Sequence, residues 1–327
     1  MRKLMSVLLL AMLTSTIVAQ QGVERRSWHK RIGTIVQDPN VHDPVMMKQD
    51  STYYLFFTGM LLPVMSSTDM KNWNFERNVF DAPPRWALEA VAGYRGHTWA
   101  PDIVENNGKY HLYYSSSTFG KNTSAIGHAE RTTLSVTDTL ARWVDTGMVV
   151  ASKEGESNYN AIDPSVIVDE GGRAWMAFGS FWGGIQLIRL TADMAHRDSS
   201  YKQRTIARRS QGKAIEAPFL YRHGAYYYLF VSWDYCCRGE KSDYKVVVGR
   251  SPQVEGPYLD RTGKPMLKGG GTLVYDQDER MIAGGHNAAY TFDGEDYFIC
   301  HGYTREHGES KLILKKITWD DGWPIVR

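Results

Sequence analysis

The chain has 327 residues, of which 43% are hydrophobic and 23% are charged. This balance is typical of a globular protein, and the length is sufficient for a large core. The formal net charge is only +2, and no long run of like charges occurs. Nucleic acid and anionic membranes are therefore not expected as partners.

The first 20 residues, MRKLMSVLLLAMLTSTIVAQ, are typical of a signal peptide. Arg2 and Lys3 form a basic start, an apolar run follows, and Ala19 is a small residue at which a peptidase could cut. A buried N-terminal helix is the alternative, but no polar face runs through the segment. We predict an exported protein, periplasmic or extracellular, with residues 21–327 as its mature chain.

The three cysteines do not indicate a disulfide framework. Cys236 and Cys237 are adjacent, and adjacent cysteines seldom bridge each other. Together with Cys300 they are expected to be free thiols or at most one pair. No Cys-x-x-Cys or His-x-x-x-His spacing suggests a zinc site.

Five segments of the chain share one pattern. Each begins with a polar residue near a proline or a small residue, continues as an apolar strand, turns, and returns as an aromatic strand, which predicts a β-hairpin. The segments are VHDPVMMKQDSTYYLFFTG from 41, WAPDIVENNGKYHLYYSSS from 99, NAIDPSVIVDEGGRAWMAFGS from 160, AIEAPFLYRHGAYYYLFVSWD from 214 and GGHNAAYTFDGEDYFICHGY from 284.

The spacing of these hairpins predicts an all-β fold, a five-bladed β-propeller in a single domain. The turns near Ser51, Gly108, Gly172, Gly224 and Gly294 are 57, 64, 52 and 70 residues apart. Mostly extended repeats of this length are typical of propeller blades of about four strands. A β-sandwich or a β-helix is the alternative, but sandwiches rarely reach this length in one domain and β-helix rungs are much shorter.

Residues at the same point of each repeat would face one central funnel, because the innermost strands of a propeller run alongside its axis. That point is occupied by Asp43, Asp102, Asp163, Glu216 and His286. Carboxyl groups crowded at one place repel each other and lose water, which separates their pKa values. One can then act as a base and another as an acid, as glycoside hydrolysis requires. A single Asp-Pro pair would indicate only a strand-entry turn.

The sequence resembles glycoside hydrolase family 43, and in particular its endo-α-1,5-L-arabinanase branch. The resemblance extends from about residue 35 to 305 and rests on the combination of HDP, WAPD, IDPSV, GSFWGGI, IEAPFL, SWDYCCRG and GGGT…GGHN. It implies a five-bladed propeller that hydrolyses internal bonds of arabinan with inversion. It also implies that Asp43 is the general base, that Glu216 is the general acid, and that Asp163 orients the base and adjusts the pKa of the acid.

The resemblance further implies substrate contacts and a metal. The matching substrate-contact residues are Trp99, Phe119, Gly120, Asn160, Ile162, Ser180, Phe181 and Trp182. Trp233 and Tyr235 are further aromatic residues near the motifs, for which blade packing is the alternative. His286 matches a histidine associated with calcium in the central channel, where water would form most of the shell. The expected partners are arabinan and arabino-oligosaccharides, bound by a monomer.

Two other functions remain open at this stage. A non-catalytic sugar-binding propeller would keep the aromatic cleft, but it would not need three carboxylates. An exo-acting arabinofuranosidase or xylosidase of the same family often has an added domain or a long loop that closes the pocket. No added domain is evident here, which favours an open groove and internal cleavage.

Overall fold

Antiparallel sheets make up almost all regular structure of the computed structural model, which describes residues 32–138, 141–210 and 213–327. The predicted signal peptide, residues 1–20, lies outside the described residues. Within them, no helix combines the length and the apolarity that crossing a bilayer requires. The described helices are short: α1 (Arg85–Ala90) and two 3-10 turns at Gly239–Lys241 and Met266–Lys268.

The sheets follow one another along the chain, and we number them as blades I to V. Blade I has the strand order β1-β6-β5-β3-β2 and contains β1 (Ile35–Val36), β2 (Val45–Gln49), β3 (Thr52–Phe56), β5 (Val64–Ser67) and β6 (Trp73–Phe75). Blade II has the order β10-β9-β8-β7-β4 and contains β4 (Gly59–Met60), β7 (His97–Asn106), β8 (Lys109–Ser116), β9 (Ser124–Arg131) and β10 (Val144–Ser152).

The other three blades have four strands each, ordered as in the sequence. Blade III contains β11 (Ser165–Val168), β12 (Ala174–Phe178), β13 (Ile185–Arg189) and β14 (Arg204–Ala207). Blade IV contains β15 (Ile215–His223), β16 (Tyr226–Trp233), β17 (Lys245–Ser251) and β18 (Thr272–Tyr275). Blade V contains β19 (Met281–Phe292), β20 (Glu295–Thr304), β21 (Ser310–Asp320) and β22 (Trp323–Val326).

The five sheets close into a ring. The strands β2, β7, β11, β15 and β19 each contact their counterparts in both neighbouring blades, and β19 of blade V contacts β2 of blade I. Each of these strands is paired with the next strand of its own blade at the hairpin that the sequence predicts. The prediction of a five-bladed β-propeller is therefore confirmed.

The second strand of every hairpin supplies the packing between blades. An apolar side chain near the middle of each is completely buried: Leu55, Leu112, Met176, Leu229 and Ile299. Burying a side chain of this size contributes about 1.5–3 kcal/mol relative to leaving it exposed. Strands buried on both faces explain why these segments are continuous apolar and aromatic runs without alternating polar residues.

Blades I and V meet without a shared strand among the described residues. Side-chain and loop hydrogen bonds join them instead. The Met46 amide donates to the Tyr290 hydroxyl at 3.2 Å, and the Leu312 amide donates to the Pro39 carbonyl at 3.2 Å. The Ser310 hydroxyl also donates to the Val41 carbonyl. This seam lies directly beside Asp43, so closing the ring also positions the predicted base.

Candidate active site

One backbone feature repeats in every blade, just before or within the inner strand. A non-glycine residue there has a positive φ: Asp43 (51°), Ala100 (43°), Asp163 (59°), Ala217 (50°) and His286 (53°). Such a conformation is uncommon outside glycine and is maintained only when the surroundings impose it. Regular ladder pairing begins or resumes within two or three residues of each position.

A hydrogen bond from the preceding blade holds each kink. In four blades the amide of the kinked residue donates to a side chain of the preceding blade: Ala100 to Thr58 Oγ1 (2.7 Å), Asp163 to Ser115 Oγ (3.0 Å), His286 to Ser232 Oγ (2.8 Å) and Asp43 to His301 Nδ1 (3.1 Å). In blade III the equivalent residue is Gly179, which has no side chain. The Ala217 amide therefore donates to the Asp163 carboxylate itself, at 3.2 Å.

Asp43 is a buried carboxylate surrounded by donors. Its Oδ1 lies 3.0 Å from His42 Nδ1 and 3.0 Å from His286 Nδ1, and its Oδ2 accepts a 2.5 Å bond from Thr58. Burial alone would raise its pKa, but His286 and His42 outweigh burial and hold the pKa of Asp43 well below its usual range. Asp43 is therefore ionised at neutral pH.

Glu216 has the opposite electrostatic environment. Burial raises its pKa above the usual value, although hydrogen bonds from Ser180 and Tyr244 act in the other direction. The Ser180 hydroxyl donates to Glu216 Oε2 at 2.7 Å. Glu216 precedes the kinked Ala217, and its carboxyl group shares the site with Asp43 because the two blades meet at one funnel.

Asp163 is coupled to Glu216. Burial raises the pKa of Asp163 to about 8, and the negative charges of Glu216 and Asp43 add to the increase. Because both carboxyl groups resist ionisation beside each other, the pair is expected to share one proton at neutral pH and to titrate as a unit. Whichever group is ionised therefore raises the pKa of the other.

His286 supplies the positive charge that this cluster needs. Burial would lower the pKa of its imidazole, but Asp43, Asp163 and Glu216 raise it to about 9. A protonated His286 donates to Asp43 and offsets part of the repulsion among the three carboxyl groups. The structure therefore brings Asp43, Asp163, Glu216 and His286 together, as the repeat positions predict.

Asp102 does not occupy the kinked position that the repeat predicts for it. The kinked residue of blade II is Ala100, and Asp102 lies two residues farther along β7, where the ladder resumes. Its buried Oδ2 accepts a 2.5 Å bond from the Val166 amide of blade III, and burial raises its pKa to about 7. The expected position was wrong: a proline follows the kinked residue in four blades (Pro44, Pro101, Pro164 and Pro218) and so marks Ala100 in blade II.

Seven of the eight predicted substrate contacts lie in loops, and Trp99 lies on β7. Phe119 and Trp182 are the most exposed, at 78% and 48%. Trp99 is half-buried, and its indole donates to His97. Gly120 is exposed, Phe181 is half-buried, and Asn160, Ile162 and Ser180 are buried. The Oδ1 atom of Asn160 has no hydrogen-bond partner among the described residues, so it is available to a ligand.

The other two aromatic candidates contact arginines. The Arg209 guanidinium lies 4.3 Å from the Trp233 ring centre, and Arg238 lies 3.9 Å from that of Tyr235. Tyr235 also approaches Phe181, with ring centres 6.0 Å apart. These contacts are consistent with packing of Trp233 and Tyr235 against residues of blade III and of the segment that joins it to blade IV.

Several residues of the site were not found by sequence reasoning. Thr58, Ser115, Ser232 and His301 occupy one equivalent point in the second strands, and aligning those strands would have revealed it. Adjacent cysteines seldom bridge, but Cys236 and Cys237 form a disulfide here, which is the one pair that the sequence allowed. Cys237 has a φ of 65°, and the loop that contains both residues lies against Tyr303 and His42.

A cleft of about 810 Å³ opens beside the cluster. Its lining includes His42 and Thr58, which contact Asp43, together with Met60, His97 and Glu309. Volumes of this size accommodate small ligands or short segments of a polymer. Asp43, Asp163, Glu216 and the predicted substrate contacts do not line this cleft, so it adjoins the base only through His42 and Thr58.

The family model described as glycosyl hydrolases family 43 matches residues 34–324. The chain belongs to this family. It is 45% identical to an extracellular exo-α-(1→5)-L-arabinofuranosidase of Cellvibrio japonicus, over 88% of this chain and 86% of the relative. It is 42% identical to an extracellular endo-α-(1→5)-L-arabinanase of Bacillus subtilis, over 87% of each chain.

A solved structure extends the comparison to the fold. The exo-1,5-α-L-arabinanase from a bovine ruminal metagenomic library is 52% identical to this chain and superposes with a TM-score of 0.86. The match covers 89% of this chain and 98% of the other. This family 43 chain is therefore a glycoside hydrolase of the arabinanase and arabinofuranosidase group.

The raised pKa of Asp163 predicts a pH-dependent stability difference for Asp163→Asn. A group whose pKa rises from 3.8 to about 8 on folding contributes stability below pH 3.8 that is lost progressively as the pH rises through 8. Asparagine does not titrate. The free energy of unfolding of the variant, relative to the parent, should therefore increase between about pH 4 and pH 8.

Urea denaturation at several pH values measures this difference. Asp198→Asn is a suitable control, because hydrogen bonds from Ser200 and Arg189 lower the pKa of Asp198. The free energy of unfolding of this variant, relative to the parent, should therefore be constant above about pH 5. A constant difference for Asp163→Asn would contradict the raised pKa.

Proposed function

We propose that this enzyme hydrolyses α-1,5-linked arabinofuranosidic bonds of arabinan with inversion of configuration. The observation that carries the proposal is the pairing, at one funnel, of an ionised Asp43 with a Glu216 that resists ionisation. Inverting glycosidases need both states at once, a base that activates water and an acid that protonates the leaving oxygen. The names of the relatives supply arabinan as the substrate class.

Asp43 is the proposed general base. Its donors hold the carboxylate in one orientation, and the low pKa keeps it free of a proton before each turnover. The attacking water would transfer a proton to this carboxylate as it adds to the anomeric carbon. Because Asp43 lies at the seam between blades I and V, its position depends on closure of the propeller.

Glu216 is the proposed general acid, with Asp163 as the residue that orients the base and adjusts the pKa of the acid. The shared proton of the Asp163–Glu216 pair would reside on Glu216 when a glycosidic oxygen approaches. Transfer of that proton leaves a second charge in the buried pair, which bulk solvent then neutralises. The bond from the Ala217 amide to Asp163 links the orientation of both carboxyl groups to one backbone segment.

Aromatic rings and polar groups around the funnel would bind the sugar chain. Exposed Phe119 and Trp182 offer flat faces to furanose rings, and buried Asn160 offers an unpartnered oxygen. Trp99, Gly120, Ile162, Ser180 and Phe181 would complete the contacts. Covering a large exposed ring with a ligand is favourable, because it removes apolar surface from water.

Internal cleavage is the proposed mode, and it requires a groove that is open at both ends. Terminal cleavage is the second candidate, favoured because the 45% and 52% identical relatives are both named as exo-acting. The 42% identical relative is named as endo-acting. Because the loops around the groove decide whether a chain can extend beyond the site in both directions, loop shape rather than the acid and base would select the mode.

Export and a monomeric state are also part of the proposal. The relatives from Cellvibrio japonicus and Bacillus subtilis are both named extracellular. Polymeric arabinan is too large to be taken up intact, so an exported enzyme would meet it outside the cytoplasm. Residues 1–20 would direct the export.

Calcium is a further proposal, and the described residues fit it only in part. His286 would hold the ion only after losing its proton and only through its second ring nitrogen, because Nδ1 contacts Asp43 and an imidazolium has no free lone pair. Ca²⁺ takes six to eight oxygen ligands, so water would have to supply most of them. The ion would add positive charge near the carboxyl groups, and no step above depends on it.

We expect calorimetric titration of chelator-treated protein with CaCl₂ to give a saturable heat that His286→Ala abolishes. The imidazole is the one ligand assigned to this chain, so its loss should remove the site. Equal heats for the parent and the variant would exclude His286 as the ligand.

Product analysis on linear arabinan tests the function and the mode. Internal cleavage should give an early ladder of oligosaccharides and a rapid fall in viscosity. Release of one short product from the start, with little change in viscosity, would favour the exo mode. Retention on an arabinan affinity gel without any product would support a sugar-binding propeller and contradict the proposed hydrolase.

Glu216→Gln should remove most activity on substrates with poor leaving groups, because an amide cannot supply the proton. General acid catalysis typically contributes about 10² to 10⁴ in rate. An aryl arabinofuranoside with a nitrophenyl leaving group, if it is accepted, needs little protonation and serves as the internal control. Equal losses of kcat on both substrates would contradict the assignment of the acid.

A further inference from the structure

A series of hydrogen bonds begins at the backbone amide of Asp43, the proposed base, and returns to the carboxylate of the same residue. The Asp43 amide donates to His301 Nδ1 at 3.1 Å, so this nitrogen carries no proton. The proton of the neutral, completely buried His301 ring must then be on Nε2, which lies 3.2 Å from the Tyr303 hydroxyl oxygen. The tautomer of His301 is thus determined by a backbone amide.

The Tyr303 hydroxyl has four polar neighbours, three nitrogen atoms within 3.2 Å and Cys237 Sγ at 4.0 Å. A hydroxyl group donates one hydrogen bond and accepts two. The His301 Nε2–H and the Cys237 amide, at 2.8 Å, both donate to it. Its own hydrogen therefore points to His42 Nε2, at 2.8 Å, which is a closer and stronger acceptor than Cys237 Sγ.

The last bond of the series returns to Asp43. Because His42 Nε2 accepts from Tyr303, the ring proton of His42 is on Nδ1, which lies 3.0 Å from Asp43 Oδ1. In this arrangement every nitrogen and oxygen atom of the series has a partner of the opposite kind.

We propose that Tyr303 is a positioning residue for the general base, acting through His42. This inference rests on the proposed function, in which Asp43 is the base. Tyr303 keeps His42 in the tautomer that donates to Oδ1, while Thr58 donates to Oδ2 and prevents rotation of the carboxylate. The base is held in one orientation, and His42 does not compete for the proton of the attacking water.

The disulfide loop contributes one fixed donor to this arrangement. Cys237 has a φ of 65°, and the covalent link to Cys236 restrains the segment that directs its amide at Tyr303. If this amide did not occupy a lone pair, the hydroxyl hydrogen would have more than one orientation. The loop of blade IV thus takes part in positioning a base that belongs to blade I.

The same atoms could suggest a metal site, because potential ligand atoms of His42, Asp43 and His301 lie within 4.8 Å of one another. The hydrogen bonds argue against it. The Nδ1 lone pair of His301 already faces the Asp43 amide, and a cation there would lie against that N–H group. We therefore assign the cluster to hydrogen bonding.

The tautomers can be observed directly in protein labelled with ¹⁵N-histidine, using long-range ¹H–¹⁵N correlation spectra. The signal of His42 is identified by its loss in His42→Asn. We expect His301 to be protonated at Nε2 and His42 at Nδ1. Protonation of His42 at Nε2, or of His301 at Nδ1, would overturn the proposal, whether or not the protein cleaves arabinan.

Kinetics then test the consequence for the base. Tyr303→Phe should lower kcat about 10- to 100-fold while KM changes little, because orientation of a reacting group is lost and substrate contacts remain. The loss should be the same on arabinan and on an aryl arabinofuranoside, since water activation is needed for both. An unchanged kcat would overturn the proposal.

Tyr258→Phe is the matched control. Its hydroxyl is also buried and donates to the Val254 carbonyl at 2.7 Å, within blade IV. Both variants should melt at a lower temperature, but only Tyr303→Phe should lose kcat. An equal loss of kcat in both would indicate a structural effect and overturn the proposal.

A second pair of variants tests the route through His42. The amide nitrogen of asparagine takes nearly the position of imidazole Nδ1, so His42→Asn can still donate to Asp43, whereas His42→Ala cannot. We expect His42→Asn to retain clearly more kcat than His42→Ala. Equal values would overturn the role of His42, and an inactive parent enzyme would instead contradict the proposed function.

Discussion

The structure depends on one repeated interaction, a hydrogen bond from a kinked backbone amide to a side chain of the preceding blade. This bond joins neighbouring blades and also sets the direction in which the kinked residue points. Where the kinked residue is Asp43, Asp163 or His286, the interaction that closes the ring also positions a charged group. An unsatisfied buried amide costs about 1–3 kcal/mol, so both effects are lost together if the acceptor is removed.

The same geometry forces three carboxyl groups into a volume with little water. Such a cluster is tolerated because the three carboxyl groups differ in pKa and are not all ionised. Asp43 has two imidazoles and a hydroxyl as neighbours and is ionised, whereas burial raises the pKa values of Asp163 and Glu216. Protonated His286 stabilises the charge that remains. The separation of pKa values that catalysis needs is thus a consequence of where the donors lie, not of the carboxyl groups themselves.

The blades and the loops have different tasks in this fold. Inner strands and their acceptors hold the acid and the base, and they are buried. Exposed rings such as Phe119 and Trp182 are on loops that can change without disturbing the ring of blades. This division is consistent with a family in which relatives of 45% and 42% identity are named for different modes of cleavage.

The sequence by itself determined the repeat, the hairpins and three of the carboxyl groups, because apolar runs and Asp-Pro entries are local signals. It placed Asp102 incorrectly, although Pro101 marks Ala100 as the kinked residue of blade II. Only the tertiary structure decided which side chains accept the kinked amides, since Asp43 and His301 are 258 residues apart. The disulfide and the bonds around Tyr303 likewise depend on contacts between blades I, IV and V. Proton positions follow from complete sets of neighbours, and such sets exist only when the ring is closed.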